Sequence, residues 1–173
     1  MAISGSTCMK NTVHPQLYLY REVEQLPQNT DGIITVMIGV NDVAVQSPLG
    51  SVSEAMSIDF SNLDDETTFA NAFRYNMESI QRKCPNAVLL CLLPIKTKVT
   101  SSYPLLNEDS MNNIRDIEKG ICYALSIPYI ETHLCGFSQY CNWDMFMNDG
   151  CHPIEAGHKR ICQFLSGKLL QYK

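Results

Sequence analysis

Apolar and polar positions along the chain alternate between two periods. Ile33-Ile34-Thr35-Val36-Met37-Ile38 is apolar and β-branched, opened by Asp31-Gly32 and ended by Gly39. That run predicts a buried strand. Ala87 to Leu93 is a second run of the same kind, set off by Cys84-Pro85-Asn86 and closed by Pro94. Ile127-Pro128-Tyr129-Ile130 predicts a short third strand. Between these runs the period changes to that of a helix. Phe69, Ala72, Phe73, Asn76, Met77 and Ile80 recur at helical spacing up to Lys83, with Asp64 or Asp65 as the expected cap. Met111, Ile114, Ile117, Ile121, Cys122 and Leu125 mark the next helix. A final amphipathic helix is expected from Glu155 to Leu170, with Ile161, Phe164, Leu165 and Leu169 inside. Val43 to Asn62 carries Gly, Pro and Ser without a period and predicts a long loop, and Thr97 to Asn107 predicts a polar one.

The order β-α-β-α-β-α, with strands apolar on both faces, predicts a parallel sheet covered by helices on both sides. In such sheets ligands bind at the carboxyl ends of the strands. Two motifs fall there. Gly39-Val40-Asn41-Asp42 follows the first strand, where an amide side chain can donate to a developing oxyanion. Asp149-Gly150-Cys151-His152-Pro153 lies beyond the third. An acid three residues before a His can accept from one imidazole nitrogen and leave the other free to take a proton.

Composition narrows the classes. At 173 residues the prior is one domain. A net charge of −5 and 13 scattered Lys and Arg argue against nucleic acid. No run approaches the ~20 apolar residues of a membrane helix. Met1 opens no signal peptide, and Cys91, Cys122 and Cys162 read as small buried hydrophobes; both features suit a reducing compartment. Export stays open if a leader lies upstream. Cys135, Cys141 and Cys151 lie in loops near His152. No Cys-x-x-Cys pair marks a zinc site, so no metal is expected, whereas a disulfide among the three stays open for an exported protein. The absence of a Gly-x-Gly-x-x-Gly or Walker loop argues against a nucleotide binder.

Taken together, these motifs resemble those of the SGNH hydrolases, also called GDSL esterases and lipases. Ser4-Gly5-Ser6-Thr7 is similar to the family's second block, Ile38-Gly39-Val40-Asn41-Asp42 to its third, and Asp149-x-x-His152-Pro153 to its fifth. Pro48-Leu49-Gly50 and Gly157-His158 also fit. The resemblance covers nearly the whole chain. It implies a three-layer α/β/α, flavodoxin-like domain. It also implies an oxyanion hole of the Gly5 N–H and the Asn41 amide, with His152 as base and Asp149 as its orienting acid. The implied reaction is acyl transfer on small acyl or carbohydrate acetyl esters, without cofactor. The first block, Gly-Asp-Ser with the nucleophile, occurs nowhere in the sequence. Only Met1-Ala2-Ile3 precede the second block, as the stub of a strand. The expectation is therefore a domain shortened at its N-terminus. Ser4 and Ser6 are the serines near that rim that could substitute. The competing reading is a binding module that keeps the cleft without the chemistry.

Overall fold

A computed structural model describes residues 5–10 and 15–172. Ser4 and the strand stub at residues 1–3 lie outside them. Three strands form one parallel sheet in the order β1-β2-β3: β1 Ile33–Val36, β2 Val88–Leu92 and β3 Tyr129–Ile130. Ile33 pairs with Val88 and Leu92 with Ile130. Seven α-helices accompany the sheet among the described residues: α1 Leu19–Gln25, α2 Val40–Ala44, α3 Val52–Ser57, α4 Phe69–Lys83, α5 Glu108–Ala124, α6 Trp143–Phe146 and α7 Glu155–Leu169.

The two longest apolar stripes form as read. Phe69, Ala72, Phe73, Asn76, Met77 and Ile80 are buried on α4. Met111, Ile114, Ile117, Ile121 and Cys122 are buried on α5. Together with Leu89, Cys91 and Leu93 they make the main core. The α4 cap is Thr68, whose hydroxyl accepts from Asn71 N, and not Asp64 or Asp65. Asp64 instead accepts from Glu66 N and Thr67 N in the preceding turn. Asn107 caps α5 in the same way, accepting from Ser110 N.

Other expectations are corrected. The stretch from Val43 to Asn62 is not one loop. It holds the end of α2, then α3 and a 3₁₀ turn at Phe60–Asn62. α3 is held by a Ser51 cap and by packing on α4 and α5, neither of which leaves a period in six residues. α1 carried no signal at all. β1 is less buried than its sequence implies: Ile33 and Thr35 are exposed and only Val36 is buried. Among the described residues the strand has a sheet neighbour on one side only, so there its apolar residues lack a second strand to pack beside. In α7, Ile161, Phe164, Leu165 and Leu169 are half-buried, and only Gly157 is fully so. Ile161 and Phe164 rest on a small second cluster of Ile95, Cys135, Phe137, Trp143 and Met147. Cys162 is exposed rather than buried, and all eight cysteines are free thiols. No described helix is long and apolar enough to cross a membrane.

Candidate active site

The carboxyl end of β1 runs into Gly39, which turns the chain at φ 105° and caps α2. A side chain there is excluded twice over. The left-handed φ favours glycine, and a Cβ would sit 2.7 Å from Ile114 Cγ2 on α5. This sharp turn puts Asn41 in the first turn of α2. Asn41 Nδ2 donates to the Ser6 carbonyl at 2.9 Å, so the third block holds the second block in place. An amide nitrogen has two protons, which leaves one for a ligand. Gly5, at φ 80°, is a turn residue directly before Ser6.

Asp42 fixes the same segment from below, a role its sequence position did not reveal. Its fully buried carboxylate accepts from Cys8 N at 2.8 Å and Met9 N at 3.1 Å. Burial pushes its pKa from 3.8 up to about 6, against the pull of those two N–H groups and the Ser47 hydroxyl. Beneath Gly39 lies Glu118, wholly buried on α5 with neither carboxylate oxygen hydrogen-bonded. Burial, with Cys122 and Asp42 nearby, holds Glu118 in its neutral form far above the usual carboxylate range. Glu118 sits on the apolar stripe one turn from Ile114 and Ile121, and that misplaced acid was the available signal.

These raised values set a pH dependence. Between pH about 4 and 6 the native protein keeps a proton on Asp42 that the unfolded chain has lost. Stability must therefore fall as pH rises through that window. Asp149, whose pKa is lowered, acts with the opposite sign but below pH 4. Asp42→Asn is expected to flatten part of the slope, with Glu118 supplying the remainder. Asp42→Ala orphans two buried N–H groups and is expected to cost about 2–4 kcal/mol. Urea midpoints at pH 4.5 and 6.5 test both; an unchanged slope in Asp42→Asn would refute the assignment.

The second half of the site follows β3. Asp149 Oδ1 accepts from Cys151 N and His152 N, both at 2.8 Å, and so closes a tight turn. Its Oδ2 lies 2.9 Å from His152 Nδ1. The turn is anchored at both ends. Trp143 Nε1 donates to the Asp149 carbonyl at 2.8 Å, and Asn148 N to the His152 carbonyl at 2.8 Å. Gly150 gives its carbonyl to Lys98 N at 2.8 Å. A Cβ at Gly150 would lie 2.4 Å from the Lys98 carbonyl oxygen, so this contact with the segment after β2 requires glycine. Partial burial works against ionisation of Asp149, but the two N–H groups and His152 hold its pKa at about 2. It is therefore a fixed negative charge at neutral pH. The His152 side chain is 62% exposed, beside the edge of the Tyr103 ring. Nδ1 is bound to Asp149, while Nε2 has only the Cys151 sulfur near it among the described residues, at 4.0 Å, and faces outward as the nitrogen placed to exchange a proton.

Both halves thus stand on the carboxyl edge of the sheet, although no hydrogen bond joins Asn41 or Ser6 to Asp149 or His152. A groove of about 370 Å³ runs beside β1 and α1 past Ser6, Met37 and Asn41. A larger one of about 520 Å³, between α1 and α4 around Tyr20, Phe60 and Tyr75, contains none of the predicted site residues. The smaller groove carries the donor chemistry. Ser6 Oγ is buried without a hydrogen-bond partner, so the structure gives it no base. His158 is exposed on α7. Asp149, Cys151 and His152 together bring three possible metal-ligand atoms within 4.8 Å of one another.

Comparison with known proteins adds a family and a fold. The model of a GDSL-like lipase/acylhydrolase family matches residues 1–160. No curated protein matches the chain. Among solved structures, a protein from Lactobacillus plantarum superposes with a TM-score of 0.78 at 22% identity, over 99% of this chain and 79% of its own. A carbohydrate acetylesterase from Sinorhizobium meliloti gives 0.68 at 12% identity, over 98% and 75%. An aryl esterase from M. smegmatis gives 0.62 at 14%, over 99% and 76%. At these identities the likeness is one of fold.

Proposed function

Because the chain belongs to the GDSL-like lipase/acylhydrolase family, we propose that it is the acid–base and oxyanion portion of an ester hydrolase. The observation that carries this reading is the Asp149 Oδ2–His152 Nδ1 contact of 2.9 Å within a turn pinned at both ends. In the proposed reaction a serine hydroxyl attacks the ester carbonyl and His152 Nε2 takes its proton. Asp149 stabilises the resulting imidazolium. The Gly5 N–H and the free Asn41 N–H receive the negative charge on the carbonyl oxygen. His152 then returns the proton to the departing alcohol, and water releases the acyl group by the same route. The reaction requires no cofactor, since the oxyanion donors supply the electrophilic assistance. Small acyl or carbohydrate acetyl esters are the proposed substrates. The names of the Sinorhizobium and M. smegmatis neighbours support that class.

The Ser6 hydroxyl, buried beside the groove without a hydrogen-bond partner, favours a second reading, a binding module that keeps the groove beside Asn41 without turnover. Hydrolysis of p-nitrophenyl acetate separates the two. With a family Gly-Asp-Ser segment supplied ahead of residue 1, the protein is expected to hydrolyse the ester, and His152→Ala to remove that activity. No hydrolysis in the extended form, or hydrolysis indifferent to His152, would leave the binding module as the better account.

A further inference from the structure

We propose that Asp149, Cys151 and His152 form a binding site for one Zn2+ or a similar thiophilic divalent cation, and that the bound ion removes His152 from service as a base. The second clause rests on the hydrolase reading above; the first does not.

Three different ligand types come from four consecutive residues in one turn. Asp149 Oδ1 is committed to the two backbone N–H groups that close it. Oδ2 and the other two side chains project from that frame. Cys151 Sγ lies 3.4 Å from His152 Nδ1, and His152 Nδ1 lies 2.9 Å from Asp149 Oδ2. Zinc bonds of about 2.3 Å to sulfur and about 2.0 Å to nitrogen or oxygen place neighbouring tetrahedral ligands roughly 3.3–3.6 Å apart. These two spacings differ from the tetrahedral ones by a few tenths of an ångström, Cys151 Sγ lies 4.0 Å from His152 Nε2, and all three ligand atoms fall within 4.8 Å of one another, so side-chain rotation closes the set on an ion. Thiolate, imidazole and carboxylate together suit zinc rather than calcium or magnesium. The imidazole faces solvent, which leaves an approach for the ion and a fourth position for water or substrate.

Binding exchanges the Cys151 thiol proton, released to solvent, for the metal. Bound at Nδ1, the ion also takes the place of the Asp149–His152 hydrogen bond. A neutral imidazole has a single lone pair. Bound through Nε2, the ring offers that lone pair to the metal. Bound through Nδ1, it carries its proton on Nε2. In either case it cannot accept a proton from a serine, so the ion and general-base catalysis exclude each other.

Cobalt provides the test. The chelator-treated full chain, titrated with Co2+, is expected to develop the near-ultraviolet thiolate-to-cobalt charge-transfer band, saturating at one equivalent and bleached by Zn2+. Cys151→Ser should lose the band and Cys141→Ser, at an exposed cysteine outside the cluster, should keep it. No band, or a band that survives in Cys151→Ser, overturns the site. In the extended form, saturating Zn2+ is expected to reduce ester hydrolysis to the level of His152→Ala, reversibly with chelator, and to leave Cys151→Ser uninhibited. Hydrolysis untouched by saturating Zn2+ overturns the inference while preserving the hydrolase. A cobalt band in a protein that hydrolyses no ester upholds the site and overturns the hydrolase.

Discussion

Asp149→Asn, made in a form that carries the Gly-Asp-Ser segment, is expected to lower kcat by about 10⁴. The substitution is nearly isosteric. The amide oxygen can still accept from Cys151 N and His152 N, so the turn should persist. The amide nitrogen then faces His152 Nδ1, where the carboxylate now accepts. A donor there forces Nδ1 to become the acceptor and moves the ring proton to Nε2. The base then presents a proton to the serine instead of a lone pair. The lost negative charge also leaves an imidazolium unsupported. Steady-state hydrolysis of a chromogenic ester, with circular dichroism as a control for folding, measures the effect. A rate within tenfold of the parent would remove Asp149 from the mechanism.

Asn41→Ala in the same form is expected to lower kcat by about 10²–10³. Its free amide proton acts on charge that exists only in the transition state, so KM should change little. The other proton is bound to the Ser6 carbonyl, so the variant should also lose about 1 kcal/mol of stability. That loss can be measured separately by denaturation, which distinguishes a displaced Gly5–Ser6 turn from a missing oxyanion donor. Hydrolysis unchanged in Asn41→Ala would assign Asn41 to tethering alone.

What could be read in advance was what depends on neighbours in sequence. The stripes of α4 and α5 lie within single segments, and their members are buried as expected except Leu125, which is half-buried at the C-cap of α5. The Asp149–His152 contact spans three residues in a turn containing glycine, so spacing alone announced it. Contacts between distant segments were silent. Asp42 was legible as a strand-end residue, but its two backbone donors come from 33 and 34 residues away. The burial of β1 was overestimated because an apolar run does not say how many neighbours its strand has. α1 and α3 are too short to hold a periodic stripe, and packing against α4 stabilises them. Glu118 left a signal, an acid on the apolar stripe of α5, whereas Arg115 left none. Arg115 in fact spans from α5 to the Pro94 and Ile95 carbonyls behind β2.

The central claim is that residues 1–173 hold the base, its acid and the oxyanion donors but no acylating serine. A serine-directed fluorophosphonate, followed by intact and peptide mass spectrometry on the chain alone and on the extended form, tests it most directly. The expected result is no adduct on the chain, and one stoichiometric adduct on the serine of the Gly-Asp-Ser segment when that segment is present. A stoichiometric adduct on Ser4 or Ser6 of the chain alone would contradict the claim and show that the second block has taken over the nucleophile's work.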